Sequence, residues 1–292
     1  MSTVIQSPLP AADATAAIDV VEKITAEDFL HGYIKQNRPL VMTRMMDMWP
    51  AKDKWTFEFF SQLSLEGEVH LEDGNIMQED TRYHKASFRE FLARLLDAPD
   101  TDAGTRQPYL SVFKIFSAFP QLEGDVDFSI LNRYKMKHTV SGWIGPAGTV
   151  TGYHIDWGDN ILAQLSGRKR LLLVAPSQTR YMYKSRKFDQ GTTLSQVDAD
   201  RPDLDRFPLY AKATPIEVIL HPGQMLFIPR GWWHQVRSLD KSISVSNIAY
   251  DLRGILVDAG PFRVKQILHN AGLFHRGECT CHMHRDGRRV PR

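Results

Sequence analysis

The sequence predicts a mainly β fold, a barrel or a sandwich, with helices packed around it. Three observations point there. From about Gly142 onward, short β-rich runs alternate with Gly and Pro turns: "SGWIGPAGTVTGYHID", "KRLLLVAP", "PIEVILHPGQMLFIP", "WHQVRSL" and "SISVSNIAY". Amphipathic helical stretches are concentrated in the first third of the chain. A last helical pattern, "GPFRVKQILHNAGLF", follows the β runs.

Taken in order, residues 1–16 are Ser, Pro, Ala and Asp without periodicity, and read as a disordered terminus. "TAEDFLHGYIKQ" fits a capped helix, with Thr25 as N-cap and Glu27 and Asp28 in the first turn. "RPLVMTRM" reads as a short strand. "WTFEFFSQL" and "SFREFLARLLD" read as amphipathic helices with the strand "EVHLEDG" between them. The expected organisation is an N-terminal α/β region over 17–140, a β core over 141–252, and a C-terminal helix with a basic tail over 253–292. A stretch near 177–213, with "DADRPDLDRFPLY", reads as a long loop or insertion, and loops of that kind are often functional.

The chain length of 292 residues suits one large β domain with helical additions. A formal charge of +2 makes no strong case for nucleic acid or a membrane surface, although one basic groove can hide in a balanced total. The opening residues lack a basic start followed by an apolar core, and no stretch approaches the roughly 18 apolar residues of a membrane span. Cys279 and Cys281 cannot staple a chain this long, which suits a reducing compartment. The expectation is a soluble intracellular protein, cytoplasmic or nuclear.

The chemistry is carried by "VTGYHIDWGDN". His154 and Asp156 are two apart, so a strand projects both to one face, as adjacent metal ligands require. Alone, such a pair is common. Here Gly148 precedes it, Gly167 ends the next strand, and "GQMLFIPRGWWH" follows downstream. In that second motif Gly223 starts a strand, "PRG" turns the chain, and His234 opens the next strand. Two spaced motifs in order favour a metal site over two satisfied core histidines. Two imidazoles and a carboxylate without a thiolate favour Fe(II) with open positions over a closed zinc site. In "GRKRLLLVAP", alternation puts Lys169 on the face of Leu171 and Leu173, and Arg168 and Arg170 on the other. A lysine on a lumen face needs an anionic partner, and a dicarboxylate such as 2-oxoglutarate supplies one.

From about Asp28 to Asp251 the chain resembles the JmjC-domain 2-oxoglutarate oxygenases. It is most similar to the small stand-alone protein hydroxylases: the arginyl-hydroxylase type, then the asparaginyl hydroxylase that inhibits hypoxia-inducible factor. The resemblance lies in "RPLVMTRMMDMWPAKDKW", "GWIGPAGTVTGYHID", "LAQLSGRKRLLLVAP", "SQVDADRPDLDRFPLYAKA" and "LHPGQMLFIPRGWWHQVRSLDKSISVS". It implies a double-stranded β-helix, the cupin or jelly-roll barrel, with helices packed outside. It implies Fe(II) held by His154, Asp156 and His234. It assigns Lys169 to the far carboxylate of 2-oxoglutarate, with hydroxyls from Thr151 and Tyr109, and matches Asn160 and Asn247 to amide residues near the cosubstrate. Thr151 is three residues from His154, so a bulge or turn at Gly152 is needed to bring both to one face. The implied reaction spends O2 and 2-oxoglutarate to hydroxylate a C–H bond. The resemblance also implies a homodimer through the C-terminal helix.

The expected substrate is a protein or peptide side chain. Trp143 and Glu72 fall where the arginyl type carries a pocket tryptophan and acid, which points to a cationic target such as arginine. Trp143, Tyr153, Trp157, Trp232, Trp233 and Tyr250 could stack on a guanidinium or simply pack the barrel. Trp157 and Gly158, with Thr193 and Leu194, replace polar residues of the asparaginyl type, which argues against asparagine. Demethylation of a methylated lysine or arginine, and hydroxylation of a tRNA base or small metabolite, are alternatives. A metal-bearing barrel that only binds is another, although it has no need of Lys169. Cys279, Cys281, His282 and His284 could hold a second metal, but a flexible basic tail is the plainer reading.

Overall fold

Strands that are apolar on both faces need cover on each side, and the chain provides it with a lumen and two outer layers. The computed structural model describes residues 18–73, 82–100, 107–189, 192–275, 279, 282–285 and 288–291. The expected disordered terminus, 1–16, lies outside them. The N-terminal layer begins with β1 (Asp19–Val21), α1 (Ala26–Phe29) and β2 (Leu40–Met42). It continues through α2 (Pro50–Lys54), α3 (Phe57–Ser61), β3 (Glu68–Asp73), β4 (Arg82–Ser87) and α4 (Phe88–Asp97). It closes with β5 (Leu110–Phe113), α5 (Ile115–Ala118) and α6 (Ser129–Asn132). Thr25 caps α1, accepting from the Asp28 amide at 3.1 Å, as the sequence predicts. The α form lasts four residues and widens into a π turn over Leu30–Ile34, shorter than the helix expected from "TAEDFLHGYIKQ". Ser87 and Glu90 form a reciprocal capping box on α4.

The barrel strands are β6 (Lys137–Gly145), β7 (Val150–Asp156), β8 (Asp159–Ser166), β9 (Lys169–Val174), β10 (Thr192–Leu194), β11 (Ile216–Leu220), β12 (Met225–Ile228), β13 (Trp233–Ser238) and β14 (Ser242–Tyr250). They form two sheets, ordered β1-β2-β12-β8-β14-β6-β5 and β10-β7-β13-β9-β11. From β6 to β9 the chain crosses from one sheet to the other at every strand, and it does so again from β11 to β14. This is the double-stranded β-helix expected from the motifs.

The sheets enclose a lumen packed by Leu162, Leu171, Leu173, Leu220, Leu226 and Ile228. The outer face of the seven-stranded sheet, with Ile161, Phe227 and Val245, buries against Phe29, Phe60 and Phe88 of the N-terminal layer. The outer face of the five-stranded sheet, with Tyr153, Leu172 and Trp233, lies under Met182, Val197, Phe207 and Tyr210. The long stretch near 177–213 is therefore a cover for that sheet. Asp200 fastens it, accepting from Arg237 Nη2 at 2.8 Å, Gln235 Nε2 at 3.0 Å and Arg170 Nη1 at 3.1 Å. The C-terminal helix expected from "GPFRVKQILHNAGLF" is α7 (Gly260–Asn270), entered through a π turn over Gly254–Ala259. No helix among the described residues is long and apolar enough to cross a membrane.

Gly167, between β8 and β9, has φ +68°, and a Cβ there would meet the Lys241 carbonyl oxygen. Gly167→Ala should destabilise the chain by at least about 1–3 kcal/mol from the backbone conformation alone. A lower urea midpoint at unchanged slope is the expected result.

Candidate metal centre and cosubstrate pocket

His154 and Asp156 sit on β7, and β13 runs beside it with His234 directly opposite His154. The imidazole centroids are 4.0 Å apart. Asp156 Oδ1 lies 3.7 Å from His154 Nε2, and its Oδ2 lies 3.5 Å from His234 Nε2. The three side chains are buried, with their ligand atoms all within 4.8 Å of one another. Each ring faces the backbone through Nδ1: His154 toward Gly152 O at 2.8 Å, His234 toward Trp232 O at 3.1 Å. A carbonyl only accepts, so both Nδ1 atoms carry the proton and both Nε2 lone pairs face Asp156. Burial, then the neighbouring His154, pushes the His234 pKa down to about 4, which keeps that ring neutral near pH 7. Asn160 Nδ2 donates to Asp156 Oδ2 at 2.8 Å and holds the carboxylate toward the rings.

The register explains Thr151. His234 pairs with His154, but two residues later Val236 pairs with Thr151, three residues back on β7. One extra residue on β7, at Gly152–Tyr153, is the bulge that the spacing required. Cross-strand partners share a face. Val236 faces the lumen core, so Thr151 does too, while Tyr153 turns outward to Tyr210.

Lys169 is buried on the lumen side of β9, with Arg168 exposed and Arg170 half-buried on the other side. Its Nζ donates to Tyr109 Oη at 3.1 Å. Among the described residues no carboxylate lies within ion-pair distance of it, and burial pushes its pKa down to about 7. Tyr109 has room because of Gly145: a Cβ there would come within 2.5 Å of the tyrosine ring. Glu72 exchanges both backbone hydrogen bonds with Tyr109, at 2.9 and 2.7 Å, and accepts from Ser111 Oγ at 2.8 Å. Trp143 stands 6.1 Å from the Tyr109 ring and donates to Ser246 Oγ at 2.8 Å. Glu72, Tyr109, Trp143 and Lys169 therefore share one region.

Other expected site residues lie elsewhere. Asn247 pairs with Ile161, on the outer face of the seven-stranded sheet, and donates to Asn132 Oδ1 at 2.8 Å. The fold thus turns it away from the lumen, because it has the opposite parity to Ser246 and Ile248 on β14. Trp157 packs edge-on against Phe262 at 4.3 Å, beside the C-terminal helix. Trp232 donates to Asn37 O at 2.9 Å, and Trp233 is fully buried under the 177–213 cover, so the aromatics do not form one wall. Cys281 lies outside the described residues, as do the side chains of His282 and His284. Cys279 is buried against Phe188 and Phe262.

One pair escapes sequence reasoning. Lys135 Nζ and Asp159 Oδ2 are 2.5 Å apart and almost fully buried. Asp159 Oδ1 also accepts from the Arg230 amide at 2.8 Å. Asp159 thus ties the turn after Asp156 to the turn before His234, joining both ligand-bearing segments. Its place three residues after Asp156 was the available signal; Lys135 gave none.

The cupin-like domain family matches residues 26–251. Lysine-specific demethylase 8 of Xenopus tropicalis is 32% identical over 82% of this chain and 54% of its own length. The chain belongs to the cupin-like JmjC family. Jumonji C domain-containing protein 5 of Drosophila melanogaster is 30% identical over 82% of this chain and 61% of its own length. The human tRNA wybutosine-synthesizing protein 5 is 28% identical over 77% of this chain and 75% of its own length. The chain thus spans little more than half the length of the first two relatives. JmjC proteins form a family of Fe(II)- and 2-oxoglutarate-dependent oxygenases. The donor set suits that metal: two imidazoles and a carboxylate, buried, with no thiolate among them. The Lys169 ammonium suits the diacid.

Asn160→Ala should leave the fold intact and weaken metal affinity about 10–100-fold, read by chelator competition. Asp159→Asn should cost up to about 3–5 kcal/mol by leaving the buried Lys135 with only Asp251, 3.9 Å away, as a carboxylate partner. Adding Lys135→Met should recover much of that loss in a double-mutant cycle.

Proposed function

We propose that the chain hydroxylates a cationic side chain of a polypeptide, with Fe(II) held by His154, Asp156 and His234 and 2-oxoglutarate held by Lys169, Tyr109 and Thr151. The observation that carries this reading is the buried Lys169, whose polar partner among the described residues is a tyrosine hydroxyl. Leaving a lysine there is costly unless an anion joins it. On β9, Lys169 is four residues from Leu173, the partner of His234. That is roughly 13 Å along the strand, a span that a lysine side chain and a five-carbon diacid bridge together.

Iron with 2-oxoglutarate supplies oxygen activation and C–H oxidation when bound. The protein's own residues orient and insulate. The two Nδ1–H bonds to backbone fix the imidazole rings, and Asn160 fixes Asp156. Leu171, Leu173 and Leu226 make the lumen wall apolar, which strengthens the Lys169–carboxylate attraction. Trp143 offers an indole face and Glu72 a negative charge on the same side, which supports a guanidinium or ammonium target. The same two groups suit a methylated cation, so removal of an N-methyl group is the second reading.

Fe(II) and 2-oxoglutarate added without oxygen should give a visible charge-transfer band, and admitting oxygen should give succinate. No band, with metal binding unchanged in Asp156→Ala, overturns the reading. On peptides, mass spectrometry separates an added oxygen from a lost methylene. Lys169→Ala should weaken 2-oxoglutarate binding far more than metal binding; equal loss contradicts its role.

The lowered lysine pKa also has a sign. The ligand-free lysine loses its proton above about 7, and the carboxylate needs it back. Cosubstrate affinity should therefore fall by up to about tenfold per pH unit above neutrality. The slope should vanish in Lys169→Arg, whose side chain stays charged. Titration calorimetry across that range checks both. In the ligand-free chain the same group should make stability rise with pH between about 7 and 10.5, since the unfolded lysine keeps its proton longer.

A further inference from the structure

We infer that a basic cavity between the end of β7, the Pro229–Gly231 turn and the C-terminal helix docks an acidic segment of the polypeptide substrate. The inference rests on the polypeptide reading above and names a feature of that substrate. The cavity holds about 380 Å³, and its lining includes Trp157, Arg230, Arg253, Val257, Phe262 and Lys265. Three cations meet there. The one carboxylate of the lining, Asp156, is buried and committed to Asn160 and the histidines. Arg253 and Lys265 are exposed, and no carboxylate among the described residues pairs with either.

A second cavity, of about 330 Å³, shares Trp157, Arg230 and Arg253 and adds Lys35 and Lys135. Its two acids, Asp159 and Asp251, lie 2.5 and 3.9 Å from Lys135. The positive surface therefore continues past the first cavity. The chain's charge distribution agrees. Residues 253–292 hold eight basic and three acidic residues. The whole chain holds 36 and 34, so residues 1–252 hold 28 and 31. A modest total of +2 thus hides a basic C-terminal segment on a slightly acidic body.

The apolar part of the lining favours a polypeptide over a nucleic acid. Val257 and Phe262 share the lining with the cations, and Leu252 and Leu256 are exposed on the same segment of chain. Acidic and aliphatic side chains in one segment satisfy both, whereas a phosphate backbone leaves the aliphatic surface uncovered. A second copy of this chain meeting helix to helix would cover the exposed Val264, Ile267 and Leu268 of α7 but leave Arg253 and Lys265 without a counter-charge, and it is one outcome of the test. Asp156 belongs both to the metal triad and to this lining. An anchored segment thus lies a few residues from the target, at roughly 3.3 Å per residue in extended form.

The test uses the full chain and fluorescence anisotropy. The probes are a short labelled Glu/Leu peptide, its Lys/Leu counterpart, and a single-stranded oligonucleotide of equal charge. The Glu/Leu peptide should bind best, and its Kd should rise with salt. The double variant Arg253→Glu with Lys265→Glu should lose at least about tenfold in affinity, while metal and 2-oxoglutarate affinities stay unchanged. The charge-conserving pair Arg253→Lys with Lys265→Arg should keep most of the binding. Equal binding by the charge-reversed variant, or preference for the oligonucleotide, overturns the proposal. So does a dimer that buries both cations and excludes the peptide. Normal docking without turnover of any polypeptide would uphold this site and fail the hydroxylation reading instead.

Discussion

The pairing of β7 with β13 is the constraint on which the site depends. It puts His234 opposite His154, and the extra residue at Gly152–Tyr153 lets Thr151 and His154 face the same lumen. A regular strand would have sent one of them outward. Tyr153, one residue before His154, turns outward by simple alternation and joins the core beneath the 177–213 cover. One extra residue therefore gathers Thr151 with the metal ligands inside, while the outer packing keeps its regular alternation.

Around that register the lumen is largely apolar, and its polar groups fall into two kinds. Some are satisfied by protein. Gln164 accepts from Ser244, and each histidine Nδ1 has a carbonyl. Others are satisfied incompletely. Lys169 has one tyrosine hydroxyl, and Asn160 Oδ1 is buried without a partner. Groups of the second kind cost stability in a folded chain and persist where a ligand completes them. They sit along the lumen near the metal triad, as a chelating diacid requires.

The two candidate substrate surfaces have opposite character. Trp143 and Glu72, with Tyr109 between them, offer π and carboxylate groups to a cation. The C-terminal cavity offers Arg230, Arg253 and Lys265. A substrate carrying a basic target residue with acidic neighbours satisfies both, and opposed surfaces of this kind also set the direction in which a chain lies across a site.

Local sequence was enough for features whose cause is local. Strand parity placed His154 with Asp156 and Lys169 with the leucines, and capping chemistry placed Thr25. The spacing of Thr151 even demanded the bulge. Contacts between distant segments left no such trace. Lys135 gave no hint that it would reach Asp159, nor Gly145 that its missing side chain makes room for Tyr109. Asn247 had a suitable residue type, but the parity of β14 turned it to Asn132. Periodicity is written along one strand, so by itself it determined a mainly β fold, the pairing of His154 with Asp156 and the side of Lys169, while the two spaced motifs and the resemblance they carry added the barrel and His234. Which face of one strand meets which face of another is settled by packing across the whole chain. Only the tertiary structure therefore decided the buried ion pair, the grouping of Glu72 with Trp143, and the basic cavity beside the C-terminal helix.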